Sequence, residues 1–516
     1  MDRFTLDGSS RRIRLGRGYA IAAPGLAGPG AVFPASASTP ATRAAAPPTP
    51  ELEAAFQATG LQEAATIALQ VRATPRPPAA ANVRTAAGED ALELEVPAPG
   101  PDREQVVLAI GEDGVITWHY PMPVAGGEEA AVTRAGPGSR RFRIPSAVAP
   151  PPEGPAAHRG FVGAAGRRLL KVMVYPVTDP ILGAIGRHFA GRWEDRNRPY
   201  RLRAFTPDNY DRPDVAPLVT PEDWAPYGAG RSLLFVHGTF STAHGCFGSL
   251  PRDFVAELHQ RYNGRLLAFD THTLSEDPAA NARRFLELLP AGQRLECDVV
   301  CHSRGGLVTR EIALAGADGG RVGVRRIVFV GVPNAGTALA DPGHMTHMID
   351  RFTSAVMLLP TGPVTETMEA IITAVKVIGH GVTGGLPGLA SMQPSGRFLA
   401  RLNRDGGPAS ALGATEFYAI TADYAPGTGP LRSLIVQRAA DALVDRVFSD
   451  VANDLVVPTS GVYDVAGPAG FPIPTHRVLR YAAEEGVLHT GYFSAPRTAT
   501  VLSQWLENPA DGRTGP

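Results

Sequence analysis

The sequence predicts an α/β chain of 516 residues: a mostly parallel sheet with helices on both faces over residues 226–510, preceded by a β-rich, sandwich-like accessory domain and connector over 83–225. Three observations predict it. From Leu92 apolar residues recur at every second position in short runs, the period of a half-buried strand. From Ser232 apolar runs of strand length alternate with stretches of helical period, the pattern of parallel strands joined by covering helices. One of those strands, ending in Cys301-His302, meets Ser303 at a sharp turn and passes straight into a helix that begins Arg304-Gly305-Gly306.

Residues 1–82 read as a flexible, Ala/Pro-rich segment with a short helix. Arg11, Arg12, Arg14 and Arg17 precede the apolar stretch Ala20–Val32, superficially a leader sequence. Pro24, Gly25, Gly28, Pro29 and Gly30 cut that stretch, so no continuous apolar helix forms and a cytoplasmic location is expected. Residues 33–50 are an Ala/Pro/Ser/Thr tract too polar and too small in side chain to build a core. Leu52, Ala55, Phe56, Leu61 and Ile67 then fall at helical spacing, interrupted at Gly60, which predicts a helix or helix pair over Glu51–Gln70.

The short strands of the accessory domain are Leu92–Val96, Val106–Ile110, Val115–Tyr120, Arg141–Pro145 and Leu169–Tyr175. Gly111-Glu112-Asp113-Gly114 predicts a hairpin turn between the second and third. Residues 180–225 read as a connector. The parallel strands follow at Leu233–His237, Arg265–Asp270, Cys297–His302, Arg326–Gly331, Glu416–Ala422 and Arg477–Ala482. Pro278–Leu289, Arg304–Ala315 and Pro496–Leu506 carry helical period, the last with proline at a favoured first position. An insertion, 338–403, separates the fourth and fifth strands.

Composition narrows the function. With 44% hydrophobic and 19% charged residues the chain has ample material for a core, and its net charge of −1 argues against electrostatic binding of nucleic acid or an anionic membrane. Only Lys171 and Lys376 among the 49 basic residues are lysines. Cys246, Cys297 and Cys301 have no metal-ligand spacing, and the last two lie four apart on one strand, so a reducing compartment is the simpler reading. His344 and His347 could share a helix face but lack an accompanying carboxylate or thiolate, so no metal and no cofactor are expected. No apolar run is long enough to span a membrane.

Ser303 carries the chemistry. In the run Cys301-His302-Ser303-Arg304-Gly305 the turn lifts a hydroxyl above the sheet, the layout of a nucleophile elbow, although Cys301 stands where G-x-S-x-G has glycine. A serine hydroxyl reacts only when an imidazole takes its proton, and that imidazole needs a carboxylate to fix its tautomer. His489 follows the last strand and precedes the terminal helix, whereas His476 lies at the entry to that strand. Asp454, ahead of Leu455-Val456-Val457-Pro458, is the preferred acid, with Asp423 and Asp450 as alternatives. His302, next to the nucleophile, reads as a packing or hydrogen-bonding residue.

Over residues 232–507 the chain resembles α/β-hydrolases of the lipase and GPI-inositol-deacylase-like type. The resemblance implies an α/β-hydrolase fold and ester hydrolysis through an acyl-serine, with Ser303, Asp454 and His489 as the triad. It further implies that strand Leu233–His237 and Gly238 deliver the backbone N–H of Thr239 as one oxyanion donor, with the N–H of Arg304 as the other. Asn334 stands where many lipases have histidine in the segment after the elbow, and it is assigned structural work. In such enzymes an insertion at 338–403 often forms a lid over the acyl pocket. Five of the eight methionines fall there, which suits an irregular apolar ligand, though a helical layer packed on its own core fits equally. The implied partner is a small-molecule or lipid ester, with room for transient membrane or lipid contact. The rivals are acyl transfer on the same fold and a catalytically silent interaction protein.

Overall fold

The computed structural model describes residues 2–35, 50–73, 91–111, 115–122, 138–145, 166–176, 185–212, 217–318, 320–341, 343–357, 364–379, 386–404, 412, 415–424 and 451–507. Among the described residues its N-terminal part carries the strands β1 (Asp2–Asp7), β2 (Ile13–Arg14), β3 (Ala20–Ala22), β4 (Leu26–Pro34), β5 (Gln62–Ala73), β6 (Ala91–Pro97), β7 (Arg103–Gly111), β8 (Ile116–His119), β9 (Ser139–Pro145) and β10 (Gly166–Pro176). Helix α1 (Pro50–Thr59) lies between β4 and β5. A six-stranded sheet runs β1-β4-β5-β10-β7-β8 and a four-stranded sheet runs β2-β3-β6-β9, with every pairing antiparallel. The period-two pattern now has a physical meaning. Val107, Leu170 and Val172 face the small sheet and share a core with Leu94 and Phe142, which makes the unit a sandwich. Val106, Leu108, Leu169 and Met173 point to the opposite face, which is buried as well.

Two expectations change here. The segment 1–82, expected to be flexible with one short helix, contains β1, β4 and β5 of the larger sheet among its described residues. The prolines and glycines of Leu26–Pro34 exclude a helix, but a strand tolerates them when a neighbour fills the gap. Phe4, paired with Gly30, lays its ring where a side chain at Gly30 would stand. The helix expected to reach Gln70 stops at Thr59, where Gly60 at φ +67° ends it and the N–H of Leu61 returns to the Phe56 carbonyl. Ala65, Ile67, Leu69 and Val71 then alternate into the sandwich core as β5. The turn at Glu112-Asp113-Gly114 lies outside the described residues, although β7 and β8 pair as it requires.

The second part begins earlier than residue 226. Helix α2 (Ile185–Asn197) and strand β11 (Arg201–Ala204) precede β12 (Ser232–Val236), β13 (Leu266–Asp270), β14 (Leu295–His302), β15 (Val322–Val330), β16 (Glu416–Ala422) and β17 (Val478–Tyr481). These seven strands form one sheet in the order β11-β13-β12-β14-β15-β16-β17, with β11 antiparallel at its edge and the rest parallel. Arg201-Leu202-Arg203-Ala204 is short and half polar, as an edge strand can be, and so carries little signal in the sequence. Leu234 and Val236 of β12 face one layer while Leu233 and Phe235 face the other, so helices are needed on both sides. Helices α3 (Arg252–Arg261) and, near the C-terminus, Pro496–Trp505 supply one layer; α4 (Pro278–Leu288) and α5 (Gly305–Asp318) supply the other.

Within 338–403 lie α6 (Met345–Met357) and α7 (Val364–Gly379), and Pro496–Trp505 becomes α8. Both insertion helices are sandwiched. On one side α7 packs against α1, and Lys376 donates to the Thr59 carbonyl at the C-terminal end of α1 with its ammonium 5.4 Å from the Tyr175 ring. Burial pulls that amine down to about 8. Helix α6 stands at the open edge of β8 and supplies what a next strand would have supplied. Asp350 accepts from the Trp118 N–H (2.8 Å), Ser354 Oγ bonds both the N–H and the C=O of Ile116 (3.2 Å each), and Thr353 accepts from the Trp118 indole (3.1 Å). The sandwich, the insertion and one face of the α/β sheet thus share a single apolar core. Among the described residues, no helix is long and apolar enough to cross a membrane.

Burial drives the Asp350 carboxyl well above its ordinary range, against a smaller opposing effect of the Trp118 N–H. A carboxyl whose pKa is raised in the folded state loses stability as pH climbs above the unfolded value of about 4. Asp350→Asn keeps an acceptor for Trp118 and removes that dependence. The Tm of the variant relative to wild type should therefore rise as the pH climbs above about 4. A difference that stays constant across thermal melts would show that the carboxyl is not held neutral by its surroundings.

Candidate active site

The strand–serine–helix segment folds as the crowded turn that its residues require. Ser303 closes β14 at φ +52°, a conformation costly for any residue but glycine, and its N–H is held by the Val330 carbonyl of β15 at 2.9 Å. The neighbouring loop comes so close that a side chain at Gly238 would stand 2.6 Å from Ser303 Cβ. At Gly305 it would collide with the backbone carbonyls of Val236 and His237. Cys301 is accommodated because its thiol points inward to the Val328 carbonyl at 3.4 Å, away from that contact.

Ser303, His489 and Asp454 come together. Ser303 Oγ lies 2.9 Å from His489 Nε2, and His489 Nδ1 lies 2.8 Å from Asp454 Oδ2. All three are buried. Asp454 sits in a tight turn in which Leu455 takes φ +84°, and its Oδ1 accepts the N–H groups of Val456 (3.0 Å) and Val457 (2.8 Å). Oδ2 also accepts the Tyr492 hydroxyl at 2.8 Å. Burial alone would raise this carboxyl. The charge and hydrogen bond of His489, the Val457 N–H and the Tyr492 hydroxyl outweigh it, and Asp454 stays below the usual carboxylate range. The N–H of His489 returns to the Asp454 carbonyl at 3.0 Å, so backbone as well as side chain sets the pair.

The residues expected to donate to an oxyanion, Thr239 and Arg304, are arranged by peptide geometry. His237 Nε2 accepts from the Thr271 N–H (3.1 Å), which leaves the ring proton on Nδ1 to donate to the Gly238 carbonyl (2.9 Å). Because that peptide is planar and trans, fixing its carbonyl fixes the Thr239 N–H in the opposite direction. Burial holds His237 down to about 4, so it is neutral at ordinary pH and keeps this tautomer. The Arg304 guanidinium turns inward, donating to the Gly388 carbonyl (2.8 Å), the His272 carbonyl (3.3 Å), the Asn281 amide oxygen (2.8 Å) and the Glu276 carbonyl. Among the described residues, neither the Thr239 nor the Arg304 N–H has a protein acceptor.

The other residues singled out by sequence fall elsewhere. Asp423 pairs with Arg480 at 2.6 Å near the surface, His476 is exposed before β17, and Asp450 lies outside the described residues. Asn334 bridges the Val462 carbonyl (2.8 Å) and Arg310 (3.3 Å). His302 donates through Nε2 to the His489 carbonyl (2.9 Å), and burial with the adjacent His489 lowers it to about 3. His344 and His347 face each other at 6.2 Å between rings, and among the described residues no three potential ligands form a metal-holding group.

Sequence reasoning missed Tyr492, Arg351 and Phe352. Tyr492 lies three residues after His489, a signal that was available. Arg351 of α6 donates to the Leu455 carbonyl (2.7 Å) beside Asp454, and the Phe352 ring stands 5.9 Å from His489 and 5.0 Å from Phe240.

Residues 197–507 match the model of a family described as a domain of unknown function, DUF7379. The chain belongs to that family. No curated protein matches its sequence. Among solved structures it is similar to the lipase BlEst2 of Bacillus licheniformis at 16% identity, covering 54% of this chain and 92% of that one, with a TM-score of 0.32. It is similar to lipase 1 of Pelosinus fermentans at 12% identity, with 53% and 99% covered and a TM-score of 0.32. Phospholipase PlaB of Legionella pneumophila is 17% identical, with 45% of each chain covered and a TM-score of 0.30. This DUF7379 chain has a mostly parallel sheet with helices on both faces, with the strand order and the turn at Ser303 described above.

Gly305→Ala should be poorly tolerated, since a methyl there must displace two backbone carbonyls, and overpacking of this kind costs about 1–3 kcal/mol or more. Gly343→Ala, which meets nothing within 4 Å, is the control. Thermal melts should show a drop of several degrees for the first variant and almost none for the second. Equal melts would mean that the elbow is looser than drawn.

Proposed function

We propose that this protein is a serine hydrolase that cleaves carboxylic esters through an acyl-serine intermediate. The observation that carries the proposal is the continuous relay from Ser303 Oγ through His489 to Asp454 at hydrogen-bond distances. In the proposed reaction His489 Nε2 takes the serine proton as Oγ bonds to the ester carbonyl carbon. The carbonyl oxygen gains negative charge, which the N–H groups of Thr239 and Arg304 receive. Collapse breaks the bond to the alkoxy oxygen, and that group leaves as an alcohol with the proton from His489. Water then enters, gives its proton to His489 and its oxygen to the acyl carbon, and the acid departs as Ser303 regains the proton.

Asp454 in this scheme stabilises the imidazolium and holds the Nδ1–H tautomer, and its depressed pKa keeps it ionised while it does so. Phe240, Phe352 and Met392 gather beside Thr239 and His489, and they support an acyl group that is apolar rather than charged. Helix α6 acts as a wall for that group, packed on its far side by β8.

Ser303→Ala should abolish turnover of p-nitrophenyl butyrate and labelling by a fluorophosphonate, with a residual rate of about 10³-fold over water from the oxyanion donors. Asp454→Asn should lower kcat by about 10⁴-fold with KM little changed, by loss of the tautomer. Asp423→Asn should behave as wild type, because its partner Arg480 lies at the surface. Near-normal turnover in Ser303→Ala, or a dead Asp423→Asn beside an active Asp454→Asn, would overturn the assignment.

A further inference from the structure

Helix α2 lies in the stretch that reads in sequence as mere connector, yet its last turn and the residue that follows it bury a charge of each sign. Glu194 is 0% exposed, and Arg198, the residue after the helix's end, is 6% exposed. Each is spent on backbone groups around the oxyanion loop. Glu194 accepts the N–H groups of Leu274 (2.9 Å) and Ser275 (2.9 Å), the N–H of Thr273, and the Ser275 hydroxyl (2.6 Å). Thr273 Oγ1, placed by that grip, accepts the Phe240 N–H at 3.4 Å. Arg198 donates through Nη1 to the carbonyls of Phe240 (2.9 Å) and Ser241 (2.7 Å), and through Nη2 to the Glu366 carbonyl in the first turn of α7.

Phe240 needs this. It sits at φ +60°, which a bulky L-residue leaves unless both neighbouring peptides are held, and its ring is fully buried against Phe352. His237 orients the peptide before Thr239, while α2 holds the two peptides after it. We propose that Arg198 and Glu194 are positioning residues that keep the Thr239 N–H aimed at the developing oxyanion. The proposal rests on the acyl-serine reading above. Without Arg198, two carbonyls in a dry loop lose their donor, Phe240 relaxes toward ordinary backbone, and the Thr239 peptide turns with it. The ground-state ester demands little of that N–H. The transition state demands much, so the loss falls on kcat.

The test uses the full chain with Arg198→Met, Arg198→Lys and Glu194→Gln. Active sites are counted by end-point titration with a fluorophosphonate. Turnover of p-nitrophenyl butyrate is then measured per titrated site, together with Ki for an aryl trifluoromethyl ketone, whose adduct with serine carries the oxyanion. Arg198→Met should lose about 10²-fold in kcat per site, the scale of one oxyanion donor, with KM within about threefold and Ki for the ketone weakened in parallel. Methylguanidine added to Arg198→Met should restore part of kcat. If that variant does not fold, Arg198→Lys, which retains a cation with fewer donors, should show a smaller kcat loss at unchanged KM.

Wild-type kcat and Ki per titrated site in Glu194→Gln and in whichever Arg198 variants fold would overturn the proposal. So would a loss explained entirely by fewer titratable sites, because that is the mark of a merely structural role. A wild-type chain that neither reacts with the fluorophosphonate nor turns over the ester would instead overturn the acyl-serine reading, and this proposal with it.

Discussion

The structure depends on one close approach: the backbone of the loop after β12 against the turn that carries Ser303. Val236 and His237 present carbonyls to Gly305 with no room for a methyl, and Gly238 faces Ser303 Cβ in the same way. Only glycines at both places let the parallel strands β12 and β14 end side by side with their following loops in contact. From that contact the rest follows. Ser303 must adopt φ +52°, its hydroxyl is lifted toward His489, and the Thr239 and Arg304 N–H groups both belong to the few residues that flank the approach.

The second constraint is the handling of charge in a dry interior. Asp454, Glu194, Arg198 and Arg304 are all buried, and each bonds at least two backbone groups. An unpaired buried charge costs several kcal/mol, so each such group must gather many hydrogen bonds to be tolerated, and it thereby freezes the loops that supply them. Those loops border the candidate site: 239–241 and 272–276 beside Thr239 and Arg304, and 454–457 around Asp454. Rigidity at the site is thus bought with burial.

Much of this was legible in the sequence, for physical reasons that differ by element. The five internal parallel strands and the elbow helix announced themselves because a strand buried on both faces must be apolar throughout. Ser303, Asp454 and His489 could be picked out together because chain order limits which residues can meet at one end of such a sheet, and these three do meet. The first strands escaped notice because Leu26-Ala-Gly-Pro-Gly-Ala looks like a broken segment until Phe4 is known to cover Gly30. Strand β11 was too short and too polar to signal. Arg198 and Glu194 were invisible for another reason: their partners lie 42 and 81 residues away, and nothing in a helix's last turn says which distant carbonyls it will meet.

Helix α6 shows how far the site extends. Successive residues advance about 100° around a helix, so Asp350, Thr353 and Ser354 share one face and Arg351 and Phe352 another. The first face completes the edge of the N-terminal sheet at Ile116 and Trp118, and the second holds the Leu455 carbonyl and walls the His489 ring. A displacement of β8 must therefore either open buried polar bonds on its own side or drag the helix and, with it, the turn that presents Asp454. Because packed interiors resist small continuous shifts, the sandwich and the acid turn move together or not at all. On this geometry the N-terminal domain braces the turn that carries Asp454, although it contributes no side chain to the Ser303–His489–Asp454 contacts.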